Sequence, residues 1–392
     1  MQAVSKHRFQ GLFAHPSLQK MNPYSQAVFA DLYACHTARK GYQMQVCDNG
    51  NCMETTTMYH CCGNRHCPNC GSTKRDDWVE DRMSELLPTA YYHVVFTLPH
   101  ELNAVVMGNR KTLFNALFAS ASQALLNHSK NKEFLGAEPG ITMVLHTWGQ
   151  DLSFHPHIHC IVTGGGFDGS VWVQPKRSNN KFLFPNGSLA TMYKAVFMKV
   201  LEENTEIKWG EINKAKLLKV IRYKRWKVYS KAPFGGPAQV VEYLGRYTHK
   251  IAITKHRILE LTDKRLKFKY KDYADGDKTK EMWLDHEEFL RRFEQHILPR
   301  GFVKIRHSGF LRCKDKHQRI VQIRQSMKLG NAMPKVKIPL AVRMLEKYGT
   351  DINLCPCCKI GRLVTIKDTR AERRERPRQF PDLVAKAQPA PS

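Results

Sequence analysis

Hydrophobic and polar positions alternate along this chain with two periods, and the changes of period mark its elements. Apolar residues recur at helical spacing over residues 24–33. They do so again over residues 78–87, where Trp78, Val79, Arg82, Met83, Leu86 and Leu87 share the pattern and Pro88 ends it. Residues 93–99 read as a strand. A long helical pattern follows at 112–127, with Leu113, Phe114, Leu117, Phe118, Ala121 and Leu125 on one face, and Gly136 and Gly140 close it. Strands are expected at 141–148 and 154–166, then a loop and hairpin region at 166–188, a helix at 189–203 and a strand at 227–231. The order strand, helix, strand, strand, helix, strand predicts an α+β, ferredoxin-like (split βαβ) domain. Beyond it, Pro237 suits the first position of a further helix, residues 250–254 and 257–270 read as basic strands, 287–298 as a helix and 301–307 as a strand.

Residues 154–166 carry the first chemical signal. His157 and His159 are two apart, so an extended chain sends both imidazoles to one face and Ile158 to the other. Cys160, Ile161 and Val162 continue the strand into a core, and Gly164, Gly165 and Gly166 end it. Two histidines side by side on a strand suit either a metal ion or ordinary hydrogen bonding.

Composition narrows the choice. The 392 residues suggest two or three units, and 62 Lys and Arg against 35 Asp and Glu leave a formal charge of +27 spread along the length. A polyanion is the natural partner, because neutralising phosphates releases condensed counterions. No run of 18 apolar residues and no basic amphipathic helix point to a membrane. The first 13 residues lack the apolar core of a secretory signal, which predicts a cytoplasmic protein. In that reducing setting the twelve cysteines point to metal sites.

Cys67-Pro-Asn-Cys70 reads as a zinc knuckle, with Cys47 and Cys52 as the second pair of thiolates for a closed, structural Zn2+ site; Cys62 or His66 could replace one of the four. Cys355 and Cys358 make a second Cys-x-x-Cys turn. In the helix that begins at Pro237, Val240, Tyr243, Leu244 and Tyr247 follow the spacing of one face, either an aromatic core stripe or two hydroxyls one turn apart. Residues 216–231 interleave Lys219, Arg222, Lys224, Arg225 and Lys227 with Tyr223, Trp226 and Tyr229, a mixture of cations and rings that suits single-stranded DNA.

Taken together these motifs resemble the two-tyrosine rolling-circle insertion-sequence transposases of the HUH nuclease class. The resemblance is carried in order by Asn64-Arg-His-Cys-Pro-Asn-Cys70, Phe96-Thr-Leu-Pro99, His146-Thr-Trp-Gly-Gln150, His155-Pro-His-Ile-His159, Phe234-Gly-Gly-Pro237 and Tyr243-Leu-Gly-Arg-Tyr-Thr-His-Lys250. His60-Cys61 before the knuckle and the extra Cys357 depart from the family pattern.

The resemblance implies a transposase that nicks and rejoins single-stranded DNA through 5′-phosphotyrosine intermediates on Tyr243 and Tyr247. Its partners would be transposon ends and target, with no nucleotide cofactor. Lys250 would help neutralise phosphate or deprotonate the phenol. His157 and His159 would hold Mg2+ or Mn2+, with Gln150 as the expected third ligand and His146 and His155 as rivals. A replication initiator or relaxase shares this chemistry; a zinc-binding DNA regulator without catalysis is the rival of a different class. The expected division is 1–88 helical and zinc-binding, 89–310 catalytic, 311–367 a basic region with the second Cys-x-x-Cys, and 368–392 a disordered tail.

Overall fold

The computed structural model describes residues 6–70, 72–83, 85–176, 183–231, 239–240, 245, 251–273, 275–312, 314–330 and 338–370. Its helices are α1 (Lys6–Gly11), α2 (Pro23–Tyr33), α3 (Ser72–Met83), α4 (Asn103–Gly108), α5 (Arg110–Lys130), α6 (Asn186–Glu203), α7 (Lys214–Tyr223), α8 (His286–Gln295), α9 (Lys316–Ser326) and α10 (Leu340–Tyr348). Its strands are β1 (Tyr42–Cys47), β2 (Thr55–Tyr59), β3 (Tyr91–Thr97), β4 (Gly140–Trp148), β5 (Phe154–Thr163), β6 (Gly166–Phe167), β7 (Trp172–Val173), β8 (Val228–Lys231), β9 (Ile258–Leu261), β10 (Arg265–Asp272), β11 (Lys278–Asp285), β12 (Ile305–Gly309) and β13 (Leu363–Asp368). The chain is a mixed α/β protein with antiparallel sheets. Among the described residues no helix is long and apolar enough to cross a membrane.

Two compact units emerge. The larger comprises residues 1–33 and 63–337, the smaller residues 34–62 and 338–392. The expected boundary at residue 88 therefore does not separate them, since residues 63–88 belong with the larger unit. The reason is a strand that periodicity had not revealed. β13 pairs antiparallel with β1, Val46 opposite Val364 and Cys47 opposite Leu363, and so draws the chain beyond residue 338 back to residues 42–47. β1 lies between β13 and β2 in a three-stranded sheet. Asp368 ends β13, and residues 371–392 of the expected tail lie outside the described residues.

The larger unit is built on a five-stranded sheet in the order β12-β4-β5-β3-β8, with every pairing antiparallel. One face carries Val94 and Phe96 of β3, Met143 and Leu145 of β4, and Ile158 and Cys160 of β5. These pack on Leu113, Leu117 and Ala121 of α5 and on Tyr193, Phe197 and Leu201 of α6. The stripe expected on α5 is the stripe that is buried. Each such aliphatic or aromatic side chain contributes about 1.5–3 kcal/mol when removed from water.

Residues 257–270, expected as one basic strand, form two, and β11 completes an antiparallel sheet with them in the order β11-β10-β9. Four cations of this sheet are matched by carboxylates: Arg265 with Asp285 at 3.2 Å, Lys267 with Glu281 at 2.5 Å, Lys271 with Asp277 at 3.2 Å and Lys280 with Asp272 at 2.9 Å. It therefore adds little to the positive field, unlike what its lysine content implies.

Two histidines, His296 buried and His307 half-buried, make the larger unit acid-sensitive. Burial pushes His296 from 6.5 to about 4, and burial, with Arg82 and Lys316 nearby, does the same to His307. Both are neutral when folded and take up a proton on unfolding below pH 6.5, so stability complete above that pH is lost as it falls toward about 4. The urea midpoint is expected to drop between pH 6.5 and 5, with a smaller drop in His296→Gln; a flat midpoint would contradict this. Leu117→Ala, at a fully buried position of α5, is expected to cost roughly 2–5 kcal/mol in the same assay.

Candidate active site

β5 follows its sequence pattern. Ile158 and Cys160 are buried toward the helices, while His155, His157 and His159 stand half-buried on the opposite face. The register fixes their neighbours. Across the sheet, Thr97, His157 and His146 form one row, and Val95, His159 and Val144 the next. The ring nitrogens of His146, His157 and His159 lie within 4.8 Å of one another, a group able to hold a metal ion. They line a cavity of about 460 Å³ shared with His93, Gln150 and His155.

Hydrogen bonds fix the orientation of the rings. The Nδ1 of His157 donates to the His155 carbonyl at 2.7 Å, which places the lone pair on Nε2. The Nδ1 of His159 meets Nε2 of His93 at 2.8 Å, and the two rings stack at 5.0 Å. Burial drives His93 from 6.5 to about 3, so that ring is neutral. His146 stacks on Trp148 with ring centroids 4.7 Å apart.

The turn between β4 and β5 sets this register. The Gly149 amide donates to the Ser153 carbonyl at 2.8 Å, and Leu152, fully buried, has a φ of +64°. A branched residue in the left-handed region costs about 1–3 kcal/mol and persists only where its surroundings impose it. Here three side chains grip successive carbonyls: Arg257 that of Gln150, Arg292 that of Asp151 at 3.0 Å, and the Nε2 of His296 that of Leu152 at 3.1 Å. Gln150 itself lines the cavity, with its Nε2 donating to the Tyr273 hydroxyl at 3.2 Å. Sequence reading placed Gln150 ahead of His146 as third ligand; the group of three that the structure brings together has His146. His146 pairs directly with His157, a register that sequence does not disclose because the ladder is irregular between His146 and Trp148.

Tyr243, Tyr247 and Lys250 lie outside the described residues. Val240, three positions before Tyr243, is buried and packs on Tyr91 and Ile161, both on the histidine face of the sheet.

The expected DNA-binding residues divide. Trp226 is a correction: it is 3% exposed, donates its Nε1–H to the Ile221 carbonyl at 3.1 Å and packs on Tyr193 and Phe197, so its ring belongs to the core. The short α7 that precedes it, absent from the sequence reading, turns the ring inward. Arg222 pairs with Glu202 and Lys224 with Glu101, while Arg225 and Lys227 are exposed.

The cysteines also regroup. Cys47 and Cys52 sit with Cys355 and Cys358 in the smaller unit, their sulfurs within 4.8 Å of one another, instead of with Cys67 and Cys70, which belong to the larger unit. Cys47 and Cys358 are 3.7 Å apart and Cys52 and Cys355 3.8 Å, matching the sulfur–sulfur edge of about 3.8 Å in a tetrahedron with Zn–S near 2.3 Å. The backbone amides of Gly361 and Ile360 pull the Cys358 thiol down to about 6. Any Cβ at Gly361 would collide with the Cys47 sulfur, so the turn requires glycine there. The pairing of β1 with β13 creates this site, and local spacing could not disclose it.

Over residues 5–98 the chain matches the family described as the transposase zinc-binding domain of the IS91 type, and over residues 140–319 a transposase family of the Y2 type. A protein described as a transposase, y4qJ of Sinorhizobium fredii (strain NBRC 101917 / NGR234), is 36% identical over 356 residues, covering 87% of this chain and 88% of that one. The transposase for insertion sequence element IS801 of Pseudomonas savastanoi pv. phaseolicola is 28% identical over 337 residues, covering 83% of this chain and 80% of that one. No solved structure matches. With a transposase zinc-binding domain, a Y2 transposase region and relatives that span most of its length, the chain belongs to the IS91-type transposases, proteins that act on DNA.

Proposed function

We propose that this transposase is a metal-dependent HUH tyrosine nuclease that nicks and rejoins single-stranded DNA at the ends of its element, driving rolling-circle transposition. The observation that carries the reading is the group His146, His157 and His159, gathered on the sheet face opposite the helices with two of its rings fixed by hydrogen bonds at Nδ1. The strand order β8-β3-β5-β4, with α5 and α6 on the other face, supports a ferredoxin-like, split βαβ core.

The three imidazoles suit a divalent cation, and Gln150, which lines the same cavity, carries a carbonyl oxygen as a further candidate donor. Imidazole donors favour Mn2+ over the harder Mg2+. Bound there, the ion supplies Lewis-acid neutralisation of the charge that grows on the scissile phosphate. The nucleophile is Tyr243 or Tyr247. Its phenolic oxygen bonds to phosphorus as the bond to the 3′-oxygen breaks, giving a 5′-phosphotyrosine and a 3′-hydroxyl. The phenol loses its proton in that step, with Lys250 placed by sequence to lower the cost, and the departing oxygen gains one. Because the phosphoester is conserved, rejoining needs no nucleotide cofactor, and two tyrosines allow two linkages to coexist.

Full-length protein incubated with labelled single-stranded DNA spanning an element end and Mn2+ is expected to form a covalent adduct. The adduct should disappear in the Tyr243→Phe, Tyr247→Phe double variant and in His157→Ala, the latter with its zinc content intact. Absence of the adduct in the unaltered protein would sink the nuclease reading and leave a DNA-binding role. His146→Ala is expected to weaken Mn2+ binding at least 10- to 100-fold, measured by titration calorimetry, and Gln150→Ala to weaken it less; the reverse order would make Gln150 the third ligand.

We further propose that the structural zinc is held by Cys47, Cys52, Cys355 and Cys358. Cys355→Ser is then expected to lower bound zinc by one equivalent per chain in elemental analysis. Unchanged zinc would return Cys47 and Cys52 to a site with Cys67 and Cys70.

A further inference from the structure

β8 is the edge strand of the central sheet, and its register places an ordered strip beside the histidines. Thr97, which pairs with His157, bonds through its hydroxyl to the Lys227 carbonyl at 3.0 Å. Val95, which pairs with His159, is opposite Tyr229, and His93 is opposite Lys231. Alternation along β8 therefore puts Lys227, Tyr229 and Lys231 on the histidine face, two strand spacings or about 10 Å from β5. All three are exposed, Tyr229 by 56%. An exposed ring between two cations on an edge strand has no packing function.

A second exposed ring reaches the same cavity from another element. Tyr273 follows β10 at the tip of the β10–β11 hairpin, is 64% exposed, and lines the cavity together with Tyr229 and Lys231. Its backbone position is secured: Arg257 donates to the Lys269 carbonyl of β10 at 2.9 Å and also grips the Gln150 carbonyl, tying the hairpin to the turn that carries the histidine strand. Lys271, which faces the Tyr273 ring at 5.8 Å, is matched by Asp277, so the hairpin brings a ring to the cavity without adding net charge.

We propose that Tyr229 and Tyr273 are the base-gripping residues of this transposase: the single strand lies along β8 with its phosphates on Lys227 and Lys231, and the unpaired bases flanking the scissile phosphate stack on the two tyrosine rings. The proposal rests on the nuclease reading above. Its chemistry selects single-stranded over duplex DNA, because only an unpaired base offers both ring faces to a side chain. It assigns phosphate neutralisation to β8 and recognition of unpaired bases to rings on separate elements. Of the rings that the sequence offers for this task, Trp226 belongs to the core and Tyr229 stays exposed, and Tyr273 joins it from a separate element.

The test compares Tyr229→Ala, Tyr273→Ala, Tyr229→Phe, Tyr273→Phe and Lys231→Ala in the full chain, with the element-end oligonucleotide and Mn2+. Each alanine variant is expected to raise the dissociation constant for single-stranded DNA, by fluorescence anisotropy, roughly 5- to 100-fold, and to raise KM for adduct formation in parallel while kcat changes by less than about threefold. The phenylalanine variants keep the ring and are expected to bind within about twofold of the unaltered protein. Lys231→Ala should flatten the dependence of log affinity on log salt by about 0.7. All three positions carry exposed side chains, and an unchanged unfolding midpoint verifies folding. If the unaltered protein forms the adduct and the alanine variants bind and react as it does, the base grip is wrong while the nuclease reading stands. If phenylalanine is as damaging as alanine, the hydroxyls and not the rings are at work, and stacking is overturned. If the unaltered protein forms no adduct, the nuclease reading itself has failed.

Discussion

The two-residue repeat of a β-strand governs this molecule. On β5 it commits Ile158 and Cys160 to the hydrophobic core and, by the same geometry, His157 and His159 to the opposite face. A one-residue slip would exchange the two sets, placing the imidazoles in the hydrophobic core and Ile158 and Cys160 on the face of the cavity. Burial of one face therefore enforces placement of the other. The core supplies the free energy that keeps the histidines where they are, and neither function can be altered without the other.

The β4–β5 turn serves that constraint. Its left-handed Leu152 shortens the connection, and Arg257, Arg292 and His296 hold three consecutive carbonyls from elements far along the chain. Tight turns with unfavourable backbone angles are stable when surrounding donors satisfy the exposed carbonyls. Register across β4 and β5, and with it the approach of His146 to His157, thus depends on residues more than a hundred positions away.

Much of this was legible in sequence because it is local. The helical stripe of α5, the strands flanking it, the face shared by His157 and His159 and the zinc-binding character of the cysteines all follow from spacing within a few turns or strand repeats. What was not legible depends on pairings between distant segments. Cys47 and Cys52 find Cys355 and Cys358 only because β13 lies against β1. His146 comes beside His157 through the pairing of β4 with β5, which strand register alone discloses. Trp226 and Tyr229 are three residues apart and chemically alike as rings, yet a helix end followed by an edge strand buries one and exposes the other. The lysines of β10 and β11 look like a nucleic-acid surface until cross-strand carboxylates are paired with them.

The smaller unit is discontinuous, and this has a consequence at the ribosome. Cys52 and Cys355 are separated by 303 residues. At synthesis rates of about 5–20 residues per second, the first two thiols emerge roughly 15–60 seconds before their partners. Throughout that interval β1 has β2 on one side and an unpaired edge on the other, a surface that nascent chains must protect from pairing with their neighbours. A unit begun at residue 34 is thus completed only after residue 338, and a chain cut short before residue 355 lacks two of the four thiols of the Cys47, Cys52, Cys355 and Cys358 group. With the proposed zinc ligands, zinc occupancy of this unit would report that translation has already passed through residues 63–337.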